Sequence, residues 1–207
     1  MACLFLVDTS GSMEGDPIQG LVDGLNQFKQ QVCEDERTKG ILDVAIVEFN
    51  STVRVVQPFV PVQRMEPVML TANGGTDMVG GLNLAIDMVT DRSRFYRTAG
   101  TEPYKPWIIM ITDGYPSEPV DEIAMRIKTL DEQGKLRLWA LGVEGFDKDV
   151  LLKLCDGKRV LRLKGYDFSG FFDWANKSMR SVSVSSPGET PQAAPLSNDV
   201  EIIQDWM

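Results

Sequence analysis

Short apolar runs alternate along this chain with longer stretches in which apolar residues recur every three or four positions. The apolar runs predict strands at residues 4–7, 42–49, 52–60, 107–112, 136–143 and 160–163. The helical spacing predicts helices at residues 17–33, 78–95, 120–133, 148–154 and 168–181. The run at 107–112 is the clearest buried strand, since strands that are apolar on both faces are typical of parallel sheets. Strands that alternate with helices indicate an α/β fold whose helices cover both faces of the sheet.

We predict a Rossmann-like, doubly wound and mostly parallel sheet of six strands, with helices on both faces. The strand at 52–60 follows the strand at 42–49 after a tight turn at Asn50 and Ser51. Two strands joined by such a turn form an antiparallel hairpin, so residues 52–60 are predicted to be the one antiparallel edge strand. Residues 1–182 are predicted to form this single domain, whose length is sufficient to bury a full core.

The end of the chain differs from the rest in composition. Residues 183–198 are rich in Ser, Pro, Gly and Ala and have few apolar side chains to bury, so residues 183–207 are predicted to be a flexible tail. The tail finishes with a short apolar segment that contains Val200, Ile202, Ile203 and Trp206. Three interpretations of this segment are open: it docks back on the body, it binds a partner as a peptide, or it adds a strand.

Two of the predicted strands end in an aspartate. Asp8 follows the first strand, and Asp113 follows the strand at 107–112. In a doubly wound sheet, ligands bind beyond the carboxyl ends of the strands, at the point where the strand order reverses. Hydroxyl side chains lie on two of the loops: Ser10 and Ser12 follow Asp8, and Thr76 follows a pair of glycines in the long loop before the helix at 78–95. The pattern predicts a crevice that brings together five oxygen-bearing side chains.

An all-oxygen set of this kind suits a hard cation. Mg²⁺ takes six oxygen ligands and needs few direct carboxylates, and two carboxylates in one crevice repel each other unless a cation lies between them. We therefore predict a metal site with Mg²⁺ as the favoured ion and Mn²⁺ or Ca²⁺ as alternatives, whereas the oxygen ligands argue against Zn²⁺. Asp77, beside Thr76, either orients a ligand of this site or caps the following helix.

Composition and charge exclude several other classes of protein. The chain has no histidine, which removes catalysis by Ser-His-Asp or Cys-His groups. Its net charge of −9 disfavours binding to nucleic acid, which requires a basic surface. No apolar stretch approaches the roughly 20 residues of a membrane span, and no secretory signal is recognisable. The three cysteines have no regular spacing and are expected to be reduced thiols, which predicts a cytoplasmic protein.

Three motifs, taken in order, resemble the metal-ion-dependent adhesion site of von Willebrand factor type A domains. They are Asp8-Thr9-Ser10-Gly11-Ser12-Met13, Gly75-Thr76-Asp77 and Ile111-Thr112-Asp113-Gly114. The resemblance covers residues 2–181 and includes all five positions of the family's site. It implies that Ser10, Ser12 and Thr76 coordinate the metal directly. It also implies that Asp8 and Asp113 act mainly through bound waters, and that an acidic residue of a partner protein supplies the sixth ligand.

Less specific features of the sequence resemble those of a bacterial subgroup of this family, the TerY/YegL-like proteins linked to tellurite resistance and stress. These features are Met13, Pro17-Ile18, Trp107 and Tyr115-Pro116. This resemblance implies a cytoplasmic protein that works with a kinase and a phosphatase.

Two functions from different classes follow from these residues. The first is a metal-dependent protein-binding module, which is an adaptor or scaffold without catalytic residues. Its metal binds an acidic group of the partner protein. The second is a Mg²⁺-dependent phosphohydrolase of the haloacid-dehalogenase type, which also places an aspartate at the end of its first strand. That chemistry requires a second aspartate two residues later, where this chain has Ser10. The sequence therefore favours the binding module.

Overall fold

The computed structural model describes residues 1–184 and 193–203, which form one seven-stranded sheet covered by helices. The strands are β1 (Ala2–Asp8), β2 (Asp43–Phe49), β3 (Val53–Pro61), β4 (Trp107–Thr112), β5 (Arg137–Gly142), β6 (Val160–Leu163) and β7 (Val200–Ile202). The helices are α1 (Asp16–Cys33), α2 (Glu36–Ile41), α3 (Met78–Thr98), α4 (Asp121–Glu132), α5 (Lys148–Leu154) and α6 (Ser169–Val184). The strand order in the sheet is β3-β2-β1-β4-β5-β6-β7.

The central strand β1 is buried along its whole length. It pairs in parallel with β2 on one side and β4 on the other, so that Leu4 lies between Ala45 and Ile108. Val7 is paired with Ile111, and the carboxyl ends of β1 and β4 therefore finish side by side. The strand order reverses at this point of the sheet, which creates the crevice that doubly wound folds use for ligands.

Side chains of β1 point alternately into two apolar layers. Phe5 faces a layer formed with α1 and α6, to which Phe28 and Phe172 contribute. Leu4 faces the opposite layer, where α3, α4 and α5 cover the sheet. Because successive residues of a strand point to opposite faces, a strand that is apolar at every position requires helices on both sides, as the sequence predicts.

The predicted doubly wound α/β fold is confirmed, and the sheet has one strand more than the six that were predicted. β3 pairs antiparallel with β2 at one edge, as expected. β7 pairs antiparallel with β6 at the other edge, so both edges of the sheet are antiparallel. The extra strand forms because β6 would otherwise leave a row of unpaired backbone groups. The helix α2 was also not predicted, since it has only six residues and a weak apolar pattern.

The C-terminal segment 193–203 lies against the body of the domain. Val200 is buried in the layer with α1 and α6, and Ile203 is buried in the opposite layer. The indole nitrogen of Trp174 donates a hydrogen bond to the Ala194 carbonyl over 2.9 Å, and the Ala194 amide donates to the Ser178 hydroxyl over 2.9 Å. Two of the three interpretations of this segment agree with the structure: the segment docks on the body of the domain, and it adds a strand to the sheet. Residues 183 and 184 of the predicted tail belong to α6, whereas residues 185–192 and 204–207 lie outside the described residues. The domain boundary at residue 182 stays a prediction.

Within residues 1–184 and 193–203, none of the helices combines the length and the apolar character that crossing a membrane requires.

Candidate metal centre

The loop after β1 is fixed by backbone hydrogen bonds to two neighbouring segments. The Thr9 amide donates to the Phe49 carbonyl over 2.9 Å, at the end of β2. The Asn73 amide donates to the Thr9 carbonyl over 2.8 Å, and the Gly11 amide donates to the Gly74 carbonyl over 3.0 Å. A Cβ on Gly11 would lie 3.4 Å from that carbonyl oxygen, which is an ordinary contact distance and shows how near the two loops lie. These bonds bring the long loop that carries Thr76 up against the loop that carries the two serines.

Asp8 is fully buried, and both of its carboxylate oxygens accept hydrogen bonds. Oδ1 accepts from the Ser10 amide over 2.8 Å, and Oδ2 accepts from the Thr112 hydroxyl over 2.5 Å. The Thr112 oxygen in turn accepts from the Gly114 amide over 3.1 Å. The carboxylate at the end of β1 is therefore held in one orientation by the end of β4.

Two hydroxyls connect Asp8's loop to the second carboxylate. The Ser10 and Ser12 hydroxyl oxygens lie 3.1 Å apart, and the Ser12 hydroxyl donates to Oδ1 of Asp113 over 2.8 Å. Ser10 and Asp113 are buried, whereas Ser12 is exposed to solvent. The buried side chains of Ser10 and Asp113 are thus linked through the hydroxyl of the exposed Ser12.

Thr76 closes the same crevice from a third loop. A Cβ on Gly114 would lie 3.1 Å from Oδ2 of Asp8 and 3.3 Å from the Thr76 hydroxyl oxygen, so both oxygens border one glycine. The Thr76 carbonyl accepts two hydrogen bonds of 3.0 Å, one from the Ser117 amide and one from the Ser117 hydroxyl. Each of the five residues that the sequence singles out, Asp8, Ser10, Ser12, Thr76 and Asp113, thus lies at this crevice.

Burial affects the two carboxylates in the same direction. It raises the pKa of Asp8, against the hydrogen bonds from Thr112 and Ser10, and the negative charge of Asp113 raises that pKa further. Burial also raises the pKa of Asp113, against the hydrogen bond from Ser12. Two desolvated carboxylates in one crevice, with the charge of Asp113 disfavouring ionisation of Asp8, provide a setting in which a cation would be stabilised.

Sequence reasoning did not find the residues that hold the site in place. Thr112 binds Asp8, and Ser51 accepts a hydrogen bond of 2.7 Å from the Gly75 amide through its hydroxyl oxygen. Thr112 could have been found from its position directly before Asp113, but the role of Ser51 depends on a contact between distant segments. Asp77 caps α3, because its Oδ1 accepts from the Gly80 amide over 2.9 Å. Of the two roles open for Asp77, the structure therefore has the helix cap.

Across the described ranges, three or more His, Cys, Asp or Glu side chains do not gather anywhere in a metal-binding group. A site at this crevice depends on hydroxyl oxygens as much as on carboxylates, which distinguishes it from an acidic calcium loop or a thiolate zinc site.

The fold and this crevice define the class: a Rossmann-like α/β domain with an oxygen-lined crevice where the strand order reverses. The family can then be stated. The family model of the von Willebrand factor type A domain matches residues 3–169, and the chain belongs to this family. None of the curated proteins matches the chain.

Solved structures share the fold at low sequence identity. One is the proximal thread matrix protein 1 from the mussel byssus, in a structure whose metal-ion-dependent adhesion site (MIDAS motif) is occupied by zinc. It is 20% identical to this chain with a TM-score of 0.61, and the match covers 85% of this chain and 47% of that protein. A von Willebrand factor type A protein from Catenulispora acidiphila is 17% identical with a TM-score of 0.63, over 87% and 42%. The pilus adhesin SpaC from Lactobacillus rhamnosus GG is 14% identical with a TM-score of 0.69, over 88% and 30%. The chain thus spans less than half the length of these proteins.

Proposed function

We propose that this chain is a metal-dependent protein-binding module that holds Mg²⁺ at the crevice and uses it to bind an acidic group of a partner protein. The observation that carries the proposal is the gathering of five oxygen-bearing side chains at one crevice. The Ser10 and Ser12 hydroxyls are in contact, Ser12 bonds to Asp113, the Ser10 amide bonds to Asp8, and the Thr76 hydroxyl borders the same glycine as Asp8. Domains of this family often serve as metal-dependent interaction modules, and a metal-occupied motif of this type is present in the mussel byssus protein.

The kind of ligand supports Mg²⁺, because hydroxyl and carboxylate oxygens are what this hard cation prefers. The Ser10 and Ser12 hydroxyl oxygens lie 3.1 Å apart. This separation is close to the roughly 2.9 Å between neighbouring ligands of an octahedral ion whose metal–oxygen distances are about 2.0–2.1 Å. Mn²⁺, which prefers the same oxygen ligands, is the alternative, and the zinc in the mussel protein shows that a related site accepts a further ion.

The ligands also explain why such a metal would bind a partner. In the proposed arrangement, the three hydroxyls of Ser10, Ser12 and Thr76 coordinate directly and remain neutral, while Asp8 and Asp113 act mainly through waters. A metal with neutral direct ligands keeps much of its positive charge, so it attracts an incoming carboxylate more strongly than a site rich in direct carboxylates would. The exposed position of Ser12 leaves the ion accessible from solvent.

We propose a binding role and not a catalytic one, because Ser10 stands where haloacid-dehalogenase chemistry requires a second carboxylate. The resemblance to TerY/YegL-like proteins supports a narrower proposal: a cytoplasmic adaptor for a kinase and a phosphatase in a tellurite-resistance or stress response. The three cysteines, none of which forms a disulfide in the described residues, suit that reducing compartment.

The metal site can be tested by equilibrium unfolding in urea, with chelator and then with Mg²⁺, Mn²⁺ or Ca²⁺. A ligand that binds only the folded state stabilises it by about 2.7 kcal/mol when its concentration is 100 times Kd. We expect the wild type to gain stability with Mg²⁺ or Mn²⁺, and Asp8→Asn and Thr76→Ala to lose most of that gain. Thr76→Ala is included because the buried Asp8 variant could fail to fold.

Asp23→Asn is the matched control, since Asp23 lies exposed on α1 and bonds only to Gln19 among the described residues. It should respond to metal as the wild type does. A wild type whose stability is the same with chelator and with saturating metal, and which releases no heat in a metal titration, would contradict the proposal.

A further inference from the structure

Three basic side chains come together at the edge of the sheet opposite the metal crevice. The parallel strands β4, β5 and β6 are neighbours, so their amino ends lie at the same edge. Lys105 comes two residues before β4, Arg137 is the first residue of β5, and Arg159 directly precedes β6. The Arg137 amide donates to the Pro106 carbonyl over 2.9 Å, which fixes the first two strand starts side by side. We call Lys105, Arg137 and Arg159 the basic cluster.

One carboxylate lies among these cations. Asp131, near the end of α4, accepts from Lys105 on Oδ1 over 2.5 Å and from Arg159 on Oδ2 over 2.6 Å. Against the effect of burial, the hydrogen bonds from Arg159 and Lys105 hold the pKa of Asp131 below its usual value, so this carboxylate is ionised. Asp131 therefore neutralises one of the three positive charges and holds two of the three side chains in place.

Arg137 is the cation that is left without a partner. It is half-buried, and within the described ranges its guanidinium takes part in no ion pair and donates no hydrogen bond. Burial and then the positive charge of Arg159 lower the pKa of Arg137, against the opposite effect of Asp131. A partly desolvated guanidinium close to a second one is unfavourable unless an anion lies near both.

The charges of the basic cluster do not cancel. Three cations and one carboxylate leave an excess of two positive charges, in a chain whose net charge is −9. The exposed charges on the neighbouring turns balance each other and leave this excess unchanged; they are Lys128 and Lys158 against Glu132 and Asp156.

This excess selects the chemistry of a ligand. A carboxylate would neutralise only one of the two charges, whereas a phosphate group carries about −1.5 to −2 at neutral pH and matches both. The planar fork of N–H groups on an arginine also fits two phosphate oxygens at once. Elsewhere the negative charge of the chain disfavours anions, which would confine phosphate to this edge of the sheet.

We propose that the basic cluster binds a phosphate group, with Arg137 and Arg159 donating to its oxygens while Asp131 keeps Arg159 and Lys105 in position. The phosphate comes either from free inorganic phosphate or from a phosphorylated side chain of a protein segment. The inference is independent of the metal site, because the basic cluster lies at the opposite ends of the strands.

The test follows the Nε–H signals of the arginines by NMR while inorganic phosphate is added to the full chain at constant ionic strength. Chelator is present throughout, so that phosphate cannot bind through a metal at the crevice. We expect the signals of Arg137 and Arg159 to shift together with a single Kd, and acetate to bind at least about tenfold more weakly. Signals that do not move, or that respond equally to acetate, would overturn the proposal.

Arg137→Gln should weaken phosphate binding by about tenfold or more, the range for hydrogen bonds between charged groups. Arg137→Lys keeps the charge without the fork and should bind with intermediate affinity. Arg64→Gln is the matched control, because Arg64 is exposed and belongs to no ion pair in the described part of the chain. Phosphate binding that is unchanged in Arg137→Gln would rule out this site.

Urea unfolding separates ligand binding from a merely structural role of Arg137. In chloride, Arg137→Gln should be as stable as the wild type or more stable, since it removes an unpaired charge. Millimolar phosphate should stabilise the wild type and the Arg64→Gln control more than it stabilises Arg137→Gln. An equal loss of stability in chloride and in phosphate would mean that Arg137 serves packing alone, and the proposal would fail.

The source of the phosphate is distinguished with a degenerate peptide mixture that has phosphoserine at its centre, compared with the same mixture that has serine. Phosphoserine peptides that bind at least about tenfold more tightly than inorganic phosphate would identify a protein segment as the ligand. Equal affinities would identify the free anion. Serine peptides that bind as tightly as phosphoserine peptides would contradict recognition of phosphate.

Discussion

The most consequential single contact at the site is the hydrogen bond from Thr112 to Asp8. Thr112 is buried, and its hydroxyl donates to one carboxylate oxygen of Asp8 while it accepts the Gly114 amide. The sequence predicted Asp8 and Asp113 as site residues because each ends an apolar strand. It did not predict Thr112, since a threonine at a strand end has many possible roles, and only the parallel pairing of β1 with β4 brings it to Asp8.

Thr112→Val tests this contact with a side chain of almost the same shape. The change leaves an oxygen of Asp8 and the Gly114 amide without this partner, so the free energy of unfolding should fall by about 1–3 kcal/mol. Mg²⁺ affinity should fall by about 10-fold or more, as when outer hydrogen-bond partners of metal ligands are removed. Titration calorimetry and urea unfolding measure the two effects.

Thr101→Val is the control, because Thr101 is exposed and lies between α3 and β4, away from the crevice. A Thr112→Val protein that binds Mg²⁺ as tightly as the wild type would show that Asp8 does not need this hydrogen bond.

At the scale of elements, the position of α1 depends on close contact with α6 and the loop before it. A Cβ on Gly20 would overlap the Tyr166 carbonyl, and a Cβ on Gly24 would lie 2.5 Å from Cδ2 of Phe172. These two glycines, one turn apart, leave the space that the Tyr166 carbonyl and the Phe172 ring occupy. The apolar spacing of α1 was readable from the sequence, but the reason for its glycines was not, because the partner helix lies about 150 residues later in the chain.

Gly24→Ala should therefore destabilise the protein although alanine is the better helix former. Forcing a methyl group against the Phe172 ring typically costs about 1–3 kcal/mol, which exceeds the gain of about 1 kcal/mol in helix propensity. Gly40→Ala is the matched control, because Gly40 lies in α2 with no atom within 4 Å of its Cβ position. The control should be as stable as the wild type or more stable. Two variants of equal stability in thermal unfolding would argue against tight packing of α1 on α6.

At the scale of the whole molecule, the C-terminal segment joins both layers of the core. Val200 enters the layer with α1 and α6, Ile203 enters the layer with α3, α4 and α5, and β7 between them completes the edge of the sheet. The sequence indicated an apolar ending but left its role open, because three or four apolar residues after a polar stretch carry no information about where they dock.

Ile203→Ala measures whether this segment belongs to the cooperative fold. Ile203 is 3% exposed, and truncating a buried isoleucine typically costs about 2–5 kcal/mol. The neighbouring variant Ile202→Ala removes the same atoms from a half-buried position and should cost distinctly less. Urea unfolding of both proteins, followed by tryptophan fluorescence, makes the comparison. Equal and negligible losses would favour the predicted domain boundary at residue 182 over a docked segment.

The sequence by itself determined the alternation of strands and helices, the doubly wound α/β class and the five oxygen-bearing residues that the fold brings to one crevice. These features follow from local patterns, since apolar periodicity and the residue that ends a strand are written in consecutive positions. Only the tertiary structure decided that Thr112 and Ser51 hold the site, that Asp77 caps α3 and that β7 adds a seventh strand. Each of these depends on contacts between segments far apart in the chain, whose distances are set by packing and sheet register and not by local sequence.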